Sequence, residues 1–178
     1  MKLRTLWVGL ASLVLAFSLS GYAMASEVGT ENLEKHVRHE LNMLPYVNAF
    51  DYMAFTVDDN GTVTLTGEVT NPVLKSDAGN VVKRVEGVEH VDNQIRVLPV
   101  SFMDNGLRLR LYRTIYGYPA LEKYSLGVIQ PIRIIVENGH VTLMGVVDSQ
   151  TDRNIAGIRA NSVPGIFSVD NELKVARG

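Results

Sequence analysis

The chain contains no cysteine. It folds without disulfides, has no thiolate metal site, and offers no sulfur for bacterial lipid attachment at a cysteine. It has no apolar run long enough to cross a bilayer: the longest, over residues 6–19, has 14 residues, against the roughly 20 that a spanning helix needs. It has no basic excess. Its formal charge is −2, which argues against broad nucleic-acid binding. Glycine-rich phosphate loops and a serine nucleophile elbow are also absent. No catalytic residues and no cofactor are expected.

What is present begins with a processing signal. Lys2 and Arg4 precede the apolar run, and Ala23-Met24-Ala25 forms an A-x-A cleavage site. Cleavage there makes Ser26 the first mature residue, and loss of Lys2 and Arg4 takes the charge from −2 to −4. The remaining length suits two small domains, residues 26–100 and 101–178.

One stretch occurs twice, 78 residues apart and without a gap. Residues 60–97 and 138–175 are identical at 15 of 38 positions. A long period repeated once indicates tandem domains; a solenoid needs at least three short repeats. Each repeat reads helix, strand, strand, helix, strand.

In the first repeat, Leu33, Val37, Leu41 and Leu44 lie at helical spacing, and Pro45 ends that run. Residues 52–58 have strand composition. Asn60-Gly61 signals a two-residue hairpin turn, with both positions at positive φ. Val63, Leu65, Gly67 and Val69 alternate with polar residues, as in a strand with one buried face. Asn71-Pro72 opens a second helix as cap and first turn, with Leu74, Ala78, Val81 and Val85 as its apolar stripe and Gly87 as its break. Val91, Asn93, Ile95 and Val97 alternate in one last strand. The second repeat predicts a helix from about Asp104, strands over 132–137 and 140–147 around Asn138-Gly139, a helix to Val163, Gly165, and a strand over 166–175.

Gly67 and Gly145 stand mid-strand on the buried face. Such a glycine often marks close approach of another backbone. The pairs Ala78-Gly79 and Ala156-Gly157 predict that the second helix of each unit crosses the sheet there.

The pattern resembles the BON domain family of bacterial osmotically induced and nodulation proteins. The residues that carry the resemblance are Gly61, Val63, Leu65, Gly67 and Val69 with Val85, Gly87, Val88, Val91 and Asn93. They return as Gly139, Val141, Leu143, Gly145 and Val147 with Val163, Gly165, Ile166, Val169 and Asn171. The resemblance implies an α+β fold of two tandem α-β-β-α-β domains. Each is a small three-stranded mixed sheet packed by two helices on one face. It also implies a periplasmic, non-catalytic protein that binds phospholipid surfaces and supports the envelope under osmotic or envelope stress. The alternative is a protein-binding or chaperone-like module that engages envelope proteins or unfolded clients through sheet edges or the groove between domains.

Chemistry outside the repeat is sparse. His36 and His39 share a helix face but lack a third ligand, and a solvated face explains them. Asp58-Asp59-Asn60-Gly61 lacks the later ligands of a calcium loop. One segment, residues 105–118, combines three arginines with three tyrosines. On a helix, Leu107, Leu111 and Ile115 face the core, and Arg108, Tyr112 and Tyr116 line an adjoining face. With Arg110, Arg113 and Tyr118 they make the candidate lipid-binding set, because basic and aromatic side chains together suit a headgroup region. The expected partner is an anionic phospholipid surface. Three arginines near such a surface contribute only about 3 kcal/mol. The same stems and rings could instead cover the domain interface. The linker over residues 98–103 is short and contains Pro99, which favours a fixed arrangement of the domains.

Overall fold

The computed structural model describes residues 20–127 and 129–176. The basic and apolar parts of the expected signal, up to residue 19, lie outside the described residues. No described helix is long and apolar enough to cross a membrane.

The first unit contains α1 (Ser20–Asn42), β1 (Tyr52–Val57), β2 (Thr62–Val69), α2 (Pro72–Val82), β3 (His90–Asn93) and β4 (Arg96–Val97). The second contains α3 (Phe102–Tyr116), a short 3-10 turn (Glu122–Ser125), β5 (Ile132–Glu137), β6 (His140–Val147), α4 (Gln150–Asn161), β7 (Ser168–Asn171) and β8 (Lys174–Val175). In each unit the central strand pairs antiparallel with the first strand and parallel with both short last strands. The fold is α+β, as the sequence pattern implies.

Alternation places Val63, Leu65 and Val69 under α1 and α2, where Val37, Leu41, Leu74, Ala78 and Val82 complete the core. Val141, Leu143 and Val147 meet Leu107, Leu111, Ile115, Ala156 and Ala160 in the second unit. Asn71 caps α2 by accepting the Val73 N–H at 2.9 Å, with Pro72 at the first turn.

Three expectations need correction. First, the last strand is broken. Asn93 Oδ1 accepts the Ile95 N–H at 3.2 Å, and Asn93 Nδ2 donates to the Lys75 carbonyl at 2.7 Å. Asn171 repeats this with Leu173 and Arg153. The repeated asparagine thus ties the helix to a kink in the strand.

Second, Gly67 and Gly145 do not receive the helix. They have φ of +121° and +112°, and a Cβ there would collide with the carbonyl oxygens of Tyr52, at the start of β1, and Pro131, just before β5. The helical Gly79 and Gly157 instead make room for Asn93 and Asn171, whose Nδ2 atoms would stand 2.9 and 2.8 Å from an added Cβ.

Third, the two hairpins differ. Asn138 (φ 52°) and Gly139 (φ 79°) form the expected two-residue turn. At the first hairpin only Gly61 has positive φ, and Asn60 does not. Asp58 pairs across to Thr62 and its carboxylate accepts the N–H groups of Asn60 and Thr62, leaving a three-residue loop. Strands β1 and β5 are therefore related by 79 residues, although the strands that follow are related by 78.

The two units are locked together. Arg96 bridges Glu137 at 2.7 Å and Glu68 at 3.4 Å. Arg133 donates to the Asn48 carbonyl at 2.7 Å. Ala49, from the first unit, is buried within the second unit's core.

Candidate membrane-facing site

Ser101 caps α3 by accepting the Asp104 N–H at 3.1 Å. The Asp104 carboxylate turns back to accept the N–H groups of Asn138 at 3.0 Å and Gly139 at 2.9 Å. Burial pushes its pKa up, but these bonds, Ser101 and nearby Arg108 outweigh that and hold it below the usual value. The start of α3 is thereby pinned to the β5–β6 turn.

The six candidate side chains divide into three groups. Arg108 and Tyr116 are 3% and 4% exposed. Arg108 donates to the Val136 carbonyl and to Asn105 Oδ1. Tyr116 donates to the Ile132 carbonyl at 2.6 Å, and burial pushes its phenol well above the ordinary pKa. Between them the Ile134 N–H donates to the Ala49 carbonyl at 2.7 Å. These two α3 side chains and the first unit together cover the outer edge of β5. Burial lowers the Arg108 pKa, opposed by the charges of Asp104 and Asp51.

Tyr112 and Tyr118 are half-buried. The Tyr112 ring meets Phe50 of the first unit edge-on, with centroids 6.2 Å apart. Tyr118 lies under the Arg159 guanidinium, 5.0 Å from its ring centroid.

Only Arg110 and Arg113 point outward, and neither has a carboxylate partner among the described residues. They share the open side of α3 with three apolar side chains outside the sequence-based set. Phe102 is 93% exposed, Met103 77% and Leu109 51%. Residues 102, 106, 109 and 113 follow each other at helical spacing, flanked by 103 and 110. Leu109 was recognisable in the sequence, since it falls off the stripe of Leu107, Leu111 and Ile115. The only acidic residue of α3 is Asp104, and it is buried.

No group of three or more His, Cys, Asp or Glu side chains among the described residues could hold a metal ion. His36 and His39 are exposed on α1.

The outer membrane lipoprotein DolP of Haemophilus influenzae is 28% identical over 176 residues, covering 90% of this chain and 87% of that protein. Osmotically-inducible protein Y of Escherichia coli is 30% identical over 119 residues, 65% of this chain and 58% of its own length. Among solved structures, the C-terminal domain of CdsD, a structural protein of the Chlamydia trachomatis type III secretion system, aligns with a TM-score of 0.31 at 16% identity. That alignment covers 82% of this chain and 98% of that one. A BON domain family model matches residues 29–99 and 121–177, passing over α3, and on that match the chain belongs to the BON domain family.

Proposed function

We propose that this protein is a non-catalytic, exported envelope protein that docks peripherally on anionic phospholipid surfaces and supports the envelope under osmotic or envelope stress. The observation that carries this reading is the open face of α3, where Phe102, Met103 and Leu109 stand beside Arg110 and Arg113 with no exposed carboxylate on the helix. The names of its relatives, an outer membrane lipoprotein and an osmotically-inducible protein, support the compartment and the setting.

Magnitudes decide which part of that face matters more. Two arginines contribute about 2 kcal/mol near an anionic surface. Each large apolar side chain contributes roughly 1.5–3 kcal/mol if fully removed from water. Three such side chains, even partly inserted, outweigh the two charges. The test is co-sedimentation of the purified protein with phosphatidylglycerol vesicles. Phe102→Ser with Leu109→Ser should weaken binding by more than about tenfold, and Arg110→Glu with Arg113→Glu should weaken it measurably. Wild-type levels of binding by both double variants would refute the assignment to α3.

A further inference from the structure

The outer edge of β1 is bare where that of β5 is covered. In both sheets the pairing decides which backbone groups face outward. Leu143 gives its carbonyl to the Glu172 N–H on the far side, so its β5 partner Ile134 directs its N–H outward, to Ala49. Leu65 likewise gives its carbonyl to the Gln94 N–H at 2.8 Å. Its β1 partner Phe55 therefore directs its N–H and carbonyl outward, and Met53 and Val57 follow by alternation. Among the described residues no side chain or backbone segment hydrogen-bonds to these groups as Arg108, Ala49 and Tyr116 do to β5. The six residues of β1, Tyr-Met-Ala-Phe-Thr-Val, include no charge and no proline, the devices that usually blunt an exposed edge.

This edge opens on a groove of about 380 Å³ between the domains. Phe55 lines it from the first domain, and Met144 and Val146 from the second. Arg38 and Lys174 also line it and outnumber Glu172. The walls thus mix apolar side chains (Leu41, Met53, Phe55, Met144 and Val146) with polar ones, the charge is on balance positive, and one side is a row of unpaired backbone groups.

We propose that this groove binds an extended, apolar polypeptide segment of a partner protein, which adds to β1 as an edge strand with a carboxylate toward Arg38 and Lys174. The molecule already contains a version of the contact, since Ala49 meets the equivalent edge of the second sheet. A hydrocarbon chain would fill the walls but leave the Phe55 N–H and carbonyl unpaired. A strand satisfies both and places alternate side chains against the walls. The groove is separate from the open face of α3, and either interaction can exist without the other.

The test uses the purified protein and a fluorescent heptapeptide, Val-Thr-Val-Thr-Val-Thr-Phe, with a free carboxyl end. The peptide should bind and should slow hydrogen exchange at the Phe55 amide. Methylating one alternate set of its backbone nitrogens should weaken binding by more than about tenfold, and methylating the other set should change little. Val146→Arg, a surface change, should weaken binding as well. The proposal is overturned by absence of binding, by equal effects of both methylated sets, or by binding indifferent to Val146→Arg. It is also overturned if dodecanoate displaces the peptide and the Phe55 amide stays unprotected, which would mark an acyl-chain groove.

Discussion

The carbonyl of Ala49 accepts the backbone N–H of Ile134 at 2.7 Å, so a loop of the first domain completes the sheet of the second. Ala49 is also part of the second domain's core. A change in the first domain should therefore be felt in the second. Ala49→Glu forces a longer, charged side chain into the second domain's core, at a cost of at least about 2 kcal/mol. Hydrogen exchange should show the Ile134 amide losing protection while Val63 and Leu65 in the first sheet change little. Uniform loss across both sheets would instead mean that the domains unfold as one unit.

Arg108 and Tyr116 predict a separation of stability from binding. Tyr116→Phe leaves the Ile132 carbonyl buried without its donor, and Arg108→Met does the same to the Val136 carbonyl. Each should cost about 1–3 kcal/mol in urea unfolding. Folded Tyr116→Phe should bind phosphatidylglycerol vesicles as wild type does, because its hydroxyl points into the sheet.

Arg108 and Tyr116 also lie beyond the reach of local sequence signals. Turn, cap and strand signals are local, so Asn71-Pro72 and the strands on either side of Asn138-Gly139 were legible. The destination of an arginine or tyrosine is not local. Both carry an apolar stem and a polar tip, so 108, 112 and 116 fit a wet face or a sheet edge equally well. The deciding acceptor, Val136, lies 28 residues away. The same limit hid the unequal hairpins. Asn-Gly serves both a two-residue turn and the end of a three-residue loop, and nothing local in the sequence shows that the Asp58 carboxylate holds the longer one. Gly67 was legible as a special position but not its cause, because the colliding Tyr52 carbonyl belongs to the neighbouring strand.

The glycines therefore predict an order of severity. At Gly67, alanine meets both an unfavourable φ of +121° and the Tyr52 carbonyl, which belongs to a backbone that cannot swing away. Strain of this kind costs roughly 1–3 kcal/mol before any collision is counted. At Gly79 the backbone is helical, where alanine is favoured over glycine by up to about 1 kcal/mol. The only obstacle there is the Asn93 amide, 2.9 Å from the added Cβ. Gly67→Ala should lower the thermal midpoint more than Gly79→Ala. Asn93→Ala combined with Gly79→Ala should recover part of the second loss by removing the obstacle, as a double-mutant cycle would measure.

Acid should reach the second domain through two helix starts. Asp104 and Asp152 are buried, and each helix is capped by the serine three residues before, Ser101 and Ser149. For Asp152, burial raises the pKa, while the Tyr124 hydroxyl, Lys123 and Ser149 lower it further, and the net shift is downward. A lowered folded-state pKa means stability that is present above the ordinary value of 3.8 and is lost as pH falls through the folded value. Asp104→Asn should therefore be less stable than wild type at neutral pH, and the gap should narrow as the pH drops below about 4. A gap independent of pH would mean that shape rather than charge holds Asn138 and Gly139.

Salt should weaken vesicle binding without abolishing it. Attraction by Arg110 and Arg113 is screened over about 10 Å at 0.1 M salt and about 3 Å at 1 M, whereas insertion of Phe102, Met103 and Leu109 is not screened. Binding should fall between 0.05 and 0.5 M salt by less than Arg110→Glu with Arg113→Glu removes at low salt, because charge reversal adds repulsion to the lost attraction, and then level off. Phe102→Ser with Leu109→Ser should remove the plateau and leave a weak component that salt eliminates. The Arg variant should keep the plateau and reverse the slope, approaching the plateau from below as salt screens the repulsion of its glutamates. Co-sedimentation across a salt series with wild type and both variants reads the two contributions separately. A wild-type curve that falls to zero with no plateau would place the attraction in charge alone and leave the exposed apolar side chains of α3 without a role at the membrane.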